Sequence, residues 1–311
     1  MKIAIIQIEP VFLNLKETWN KLKSKILDAV KDGAELVTWG ETLLPGYPQW
    51  VSITNGAQFN SPLQKKLYAK YWQEALPLNE HSILLEMQKL AKESKVMFMG
   101  GIAERSRGSI YCTLLTIGKN GVILGRHRKV KPTYEERLVW ADGDGLGLKT
   151  YPISNLGSVG GLNCWENWLP LARASLHMQN ELVHVSVWPG SIKLTKNITK
   201  FTALEGRSFI IASSGLLRAD TVHKFLEKEY NYTDSTFYSN EEFYQNGGSW
   251  ICGPNGKVIT EPLINEEGIL FGDVNLEQAI QERQNLDISG HYSRFDIFNY
   301  PLRGFDKSFL E

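Results

Sequence analysis

The feature that most constrains this chain is the alternation of short, β-branched apolar runs with helical stripes. Residues 2–8 (KIAIIQI) are apolar, isoleucine-rich and of strand length. Asn14 then reads as a helix N-cap, with Glu17 three residues on to complete a capping box. Leu15, Trp19, Leu22, Ile26, Ala29 and Val30 recur at three- and four-residue spacing, which makes one apolar stripe ended by Gly33. Residues 35–39 (ELVTW) are a strand again. The same alternation predicts helices over 82–94, 169–179, 196–206 and 277–284. It predicts strands over 96–104, 159–164, 182–188 and 209–213.

Hairpins interrupt this rhythm. Asn120-Gly121 sits between apolar runs 111–118 and 122–129, and Asn255-Gly256 sits inside 249–259; Asn-Gly favours the tight turns that join antiparallel strands. Antiparallel pairs mixed with helical crossovers call for mixed sheets. The strand segments suffice for two sheets, each needing a helical cover. The expected fold is therefore α/β: a four-layer α-β-β-α sandwich with two mixed sheets, a doubly wound sheet being the alternative. With no linker, repeat or low-complexity tract, one domain is expected over 1–311, with a core of about 2–298 and a short C-terminal tail. Residues 55–80 and 219–246 are polar yet rich in aromatics. They read as long loops, either an interface or pocket lid or surface decoration.

Several function classes drop out. No apolar run reaches the ~18 residues of a bilayer span. The N-terminal apolar run is too short for a secretory signal and meets Pro10, so a cytoplasmic protein without membrane partners is expected. Cys112, Cys164 and Cys252 are an odd, sparse set, unlike a disulfide framework. No CxxC, HxH or HExxH occurs, so no metal site is expected. Asp142-Gly143-Asp144-Gly145 lacks the downstream glutamate of a calcium loop and reads as a tight turn. Zero formal net charge gives no basic excess for nucleic acid, and removes one barrier to self-association.

Three residues share a setting. Glu41 ends VTWGE, Lys129 ends RHRK and Cys164 ends GGLNC, each read as lying just past a strand. A thiolate is a strong nucleophile, but a free thiol near pKa ~8.5 needs help to ionise. A carboxylate can take its proton, and an ammonium can stabilise developing negative charge. The backbone N–H of Trp165 is a further candidate donor. Cys112 and Cys252 lie on apolar strand faces and read as inert buried residues. Arg128 and Lys131 read as paired or solvated, and Glu166 either tunes the cysteine or pairs with an arginine.

GETLLPGYP, HRKVKPTYEER and GGLNCWENWLPLAR resemble, in order and spacing, the three signature motifs of the nitrilase superfamily. WADGDG, HVSVWPGS, ALEGR, the GGSW and CGPNG pair and GHYSRFD are similar to further stretches of its nitrilase branch, from Lys2 to about Phe298. The resemblance implies Glu41 as general base, Lys129 as transition-state stabiliser and Cys164 as nucleophile. It implies a second site glutamate seven residues after the lysine, which Glu136 fits, with Glu135 as its solvated neighbour. It also implies the four-layer sandwich, no cofactor, and a homo-oligomer of two or more subunits. Cys164-Trp165-Glu166 looks like nitrilases rather than amidases, so the expected reaction turns an organic nitrile into a carboxylic acid and ammonia through a thioimidate and a thioester. An amide or N-carbamoyl hydrolase, a cyanide-hydrolysing variant and a non-catalytic assembly protein are the alternatives. Tyr47, Thr133, Tyr134, Trp165, Asn167, Trp168 and Trp188 stand near the motif ends as substrate-binding candidates, suited to an apolar or aromatic nitrile. The chain departs from the pattern at Trp39-Gly40, at Cys112 where asparagine is frequent, at Arg207, and in ending at Glu311.

Overall fold

The computed structural model describes residues 1–294 and 296–298. Phe295 and 299–311, with the expected tail, lie outside the described residues. The first half of the chain forms β1 (Lys2–Gln7), α1 (Leu15–Lys31), β2 (Leu36–Leu44), α2 (Trp50–Ile53), α3 (Pro62–Glu74), β3 (Leu76–Pro77), α4 (Ser82–Ser94), β4 (Met97–Ser106), β5 (Ser109–Ile117) and β6 (Ile123–Arg128). A 3-10 turn over Tyr134–Leu138 follows. The second half forms β7 (Tyr151–Pro152), β8 (Ser158–Asn163), a 3-10 turn over Cys164–Trp168, α5 (Pro170–His177), β9 (Glu181–Trp188), α6 (Ile192–Gly206), β10 (Phe209–Ser214) and β11 (Leu216–Arg218). It closes with α7 (Ala219–Tyr230), β12 (Phe243–Cys252), β13 (Val258–Ile264), β14 (Gly268–Asp273) and α8 (Leu276–Arg283).

Two mixed sheets result. One has the order β14-β1-β2-β4-β5-β6, with β3 beside β4; the other has β11-β12-β10-β9-β8-β7, with β13 beside β12. Strands joined through helices, such as β1 and β2 or β8 and β9, run parallel. The Asn-Gly hairpins give the antiparallel pairs β5–β6 and β12–β13.

The layering follows from the period of two along each strand. Ile3 and Ile5 of β1 join Met97, Met99 and Leu114 in a cluster between the sheets, against Val183, Val185, Val187, Phe209 and Ile211. Ala4 and Ile6 point the other way, onto Trp19, Leu22 and Ile26 of α1 and Met87 of α4. On the far sheet, Ile210 and Ala212 cluster with Ile198 and Ala203 of α6, and Leu162 with Ala172 and Leu176 of α5. The order is α-β-β-α. Each buried Leu, Ile or Val contributes about 1.5–3 kcal/mol, and a one-residue slip would turn every such side chain to the wrong face. No helix of the described residues is long and apolar enough to cross a membrane.

Each of the two segments expected to be loops contains a helix. Pro62–Glu74 is α3, capped by Ser61, and Ala219–Tyr230 is α7. Their apolar stripes are narrow: Leu67 and Tyr71 in α3, Val222 and Leu226 in α7. Lysines and tyrosines around these stripes mask the period. Both stripes enter one cluster with Phe12, Trp50, Ile110, Cys112 and Trp140, which closes over one end of the first sheet.

Candidate active site

Glu41 lies inside β2, since the strand continues to Leu44 across a register break after Trp39. Such a break re-aims side chains. It needs Gly101 in β4: a Cβ there would come 2.4 Å from the Thr42 nitrogen and 2.5 Å from Glu41 Cα. Lys129 follows β6 directly, its N–H donating to the Cys112 carbonyl at 2.8 Å. Its own carbonyl accepts from Gly143 N at 2.9 Å. Glycine is required at 143, where a Cβ would lie 2.2 Å from the Arg128 oxygen. The 142–145 turn therefore packs directly on the lysine's backbone. Cys164 begins its 3-10 turn with φ +47°, a left-handed conformation that costs a non-glycine residue on the order of 1–3 kcal/mol.

These elements bring four side chains together. Lys129 Nζ lies 2.9 Å from Glu41 Oε1 and 2.7 Å from Glu136 Oε2. Cys164 Sγ and one carboxylate oxygen of each glutamate lie within 4.8 Å of one another. All four residues are at most 7 % exposed. Glu136 also accepts from Thr133 N at 2.6 Å and from the Tyr47 hydroxyl at 3.0 Å. Glu41 Oε2 has no hydrogen-bond partner among the described residues. The Trp140 ring lies 5.6 Å from the ammonium. Two carboxylates and a thiol are also a metal-like donor set, but the Lys129 ammonium already occupies the place between the carboxylates that a cation would take.

Burial pushes Glu41 up to about 7, with Lys129 opposing and Glu136 reinforcing the rise. Burial and the nearby Glu41 also raise Cys164 well above the usual thiol range, partly offset by Lys129. For Lys129, burial favours the neutral amine, but Cys164, Glu41 and Glu136 outweigh it and hold the ammonium charged. The arrangement is thus a neutral thiol beside a carboxylate ready to accept a proton, with a fixed cation alongside. The Trp165 backbone N–H beside the sulfur also opposes the rise, more weakly than Lys129.

Glu166 neither touches the cysteine nor pairs with an arginine. It accepts from Asn163 N at 3.0 Å, contacts His127 Nε2 at 2.9 Å, and accepts from the Val130 N–H. Burial alone would raise it, yet His127 and those N–H groups hold it below the usual carboxylate range. It clamps the Cys164 turn to the end of β6.

Asn167, expected to meet substrate, is instead used up within the framework. Its Nδ2 donates to the Cys164 carbonyl at 2.8 Å, and its Oδ1 meets His184 Nε2 and Ser186 Oγ, both at 2.8 Å. His184 continues to Glu181 at 2.8 Å. Arg173 joins the Asn167 carbonyl (2.8 Å) to Glu205 (2.5 Å). Tyr134 stands 82 % exposed. Trp165 and Trp168 pack on one another at 5.9 Å and are both partly exposed. Trp188 is buried in one apolar cluster with Cys164 and Ile192.

Cys112, expected to be inert, has its Sγ 3.3 Å from Glu41 Oε1. The Asn120-Gly121 turn holds the signal, since the hairpin register it sets places residue 112 opposite 129. Cys252 is buried against its own strand end as expected. Arg128 forms a bidentate pair with Glu104 and covers the Tyr111 ring at 3.9 Å; Lys131 pairs with Asp142 at 2.7 Å.

Comparison with known proteins agrees with this geometry. The family model described as carbon-nitrogen hydrolase matches residues 2–284. The chain is 32% identical to an aliphatic nitrilase of Rhodococcus rhodochrous, over 97% of this chain and 79% of that protein. It is 31% identical to an arylacetonitrilase of Aspergillus kawachii, over 98% and 92%. Among solved structures, a carbon-nitrogen hydrolase from Helicobacter pylori superposes with TM-score 0.67 at 17% identity, covering 96% of both chains. An amidase from Nesterenkonia sp. superposes with TM-score 0.63 at 15% identity, covering 92% of this chain and 98% of the other. These two share the fold.

Proposed function

The chain belongs to the carbon-nitrogen hydrolase family, and we propose that it hydrolyses an organic nitrile to the carboxylic acid and ammonia, with Cys164 as nucleophile. The observation that supports this best is the Cys164 sulfur lying within 4.8 Å of two buried carboxylates that share the Lys129 ammonium. Glu41 takes the thiol proton as sulfur attacks the nitrile carbon, and the nitrile nitrogen is protonated to give a thioimidate. Water adds, and Lys129 with the Trp165 N–H stabilises the tetrahedral species. Ammonia leaves, giving a thioester that a second water releases as the acid. Glu136 holds Lys129 in place between the two carboxylates.

Nitriles are favoured over amides by Cys164-Trp165-Glu166 and by relatives named as nitrilases across nearly the whole chain. Trp188 and Ile192, clustered with Cys164, suit an apolar substituent. The same reading includes a homo-oligomer, since Trp168, Leu169, Leu171 and Phe201 leave apolar surface around α5 and α6, and a cytoplasmic setting, which accords with three free cysteines. The test is ammonia release from a panel of nitriles and amides, with Cys164→Ala in parallel. Release from nitriles, lost in the variant, is expected. Release from amides alone would move the protein to amide hydrolysis.

A further inference from the structure

The Cys112 thiol lies beside the proposed base and takes no part in the reaction as written. It is 1 % exposed, and its Sγ lies 3.3 Å from Glu41 Oε1. That oxygen also accepts from Lys129 Nζ at 2.9 Å, while Oε2 has no partner among the described residues. An ionised carboxylate only accepts, so the S–H donates. The placement is built into the hairpin: the Lys129 N–H bonds the Cys112 carbonyl at 2.8 Å, so the two donors reach Glu41 from paired positions on β5 and the end of β6. The terminal torsion of a glutamate is soft. Two donors on one oxygen fix its plane and leave Oε2 as the oxygen free to take a proton.

We propose that Cys112 is a positioning residue for nitrile hydrolysis: its thiol orients the Glu41 carboxylate toward Cys164 and, as a weak donor, leaves that carboxylate basic. This rests on the reading of Glu41 as the base. The other titratable groups near Glu41 are Lys129 at the end of β6, Glu136 on the 134–138 turn, Tyr47 after β2, Tyr71 on α3 and Cys164. Of these, Lys129 and Tyr71 also face Cys112 directly, and the same two substitutions at 112 act on them through the lost thiol. A serine hydroxyl there donates more strongly than a thiol and stabilises the carboxylate more; alanine donates nothing.

The experiment compares native protein, Cys112→Ser and Cys112→Ala, following kcat and KM for ammonia release against pH. Alongside, the rate of iodoacetamide alkylation is read on the peptide containing Cys164. Cys112→Ala should lower kcat roughly fivefold with KM little changed, and shift the acid limb to higher pH. Cys112→Ser should shift that limb to lower pH. A purely structural role would not produce opposite displacements. The alkylation limb should move in the same two directions whether or not a nitrile is turned over, so failure of the substrate reading stays separable. An acid limb that coincides in the native protein and the Cys112→Ser variant overturns the proposal, and this comparison suffices if the alanine variant does not fold.

Discussion

Glu166 Oε2 lies 2.9 Å from His127 Nε2, and through that pair the turn starting at Cys164 is fastened to the strand that delivers Lys129. The other oxygen of Glu166 accepts from the N–H of Val130, the residue after the lysine. One carboxylate thus sets the spacing between the proposed nucleophile and its cation, although it touches neither side chain.

Replacing Glu166 with alanine should therefore do two things. It leaves His127, the buried Asn163 N–H and the half-buried Val130 N–H without this partner, which costs about 3–5 kcal/mol by analogy with broken buried pairs. It also frees the Cys164 turn to move relative to Lys129. A lower urea midpoint together with a fall in kcat of at least tenfold is expected. Wild-type stability in this variant would show that the clamp is not needed.

Glu41→Gln separates chemistry from stability. Loss of the proton acceptor should reduce kcat about 10²- to 10⁴-fold. Stability should move the other way. Glu41 sits at about 7 in the fold against 4.5 ordinarily, so the folded state holds the proton longer than the unfolded chain. Its contribution is complete below 4.5 and is lost as pH rises toward 7. The variant should show a flatter decline of thermal midpoint over that window than the native protein. For the native enzyme, activity should climb as pH rises through about 7, since the base must be ionised. A flat rate profile across that rise would count against Glu41 as base.

Acid should unfold the protein partly through Glu181. Burial opposes its charge, but His184 and His177 overcome that and bring it down to about 2. The folded value is depressed, so this contribution is present above 4.5 and disappears as pH falls toward 2. Glu181→Gln should have the larger destabilisation near neutrality and converge with the native protein at low pH. Parallel curves across that range would refute the linkage.

Gly143→Ala places a methyl group 2.2 Å from the Arg128 oxygen. Overpacking of this kind costs about 1–3 kcal/mol, and the strain falls on the backbone that holds Lys129. Reduced stability should be accompanied by reduced kcat. By contrast, Gly108→Ala, with nothing near its Cβ direction, should leave kcat unchanged.

Much of this is legible along the chain. Asn14 caps α1 with its side chain on Glu17 N at 3.0 Å, and both Asn-Gly turns join antiparallel strands, because caps and tight turns are decided by residues within a few positions of one another. The continuous apolar runs of β1 and β10 mark them as buried strands, but which face meets which layer is settled only by packing. The helices α3 and α7 escape because they cover only the end of a sheet, where two or three buried residues suffice. The role of Asn167 escapes because its neighbour in sequence is the reactive turn, while its partners His184 and Ser186 arrive from β9.

The sequence alone pointed to the alternating elements, to a two-sheet sandwich with a doubly wound sheet as the alternative, and to Glu41, Lys129 and Cys164 just past strands, of which Glu41 lies instead within β2. Only the tertiary structure decided which atoms meet: Lys129 Nζ and Glu41 Oε1 are 88 residues apart in the chain and 2.9 Å apart in space. It also decided that Cys112 shares that oxygen and that Glu41 holds its proton to about 7. The physical reason is that local pattern fixes dihedral angles and faces, whereas proton affinity and orientation depend on the loss of water and on charges that approach only when the sheets and their covering helices have closed.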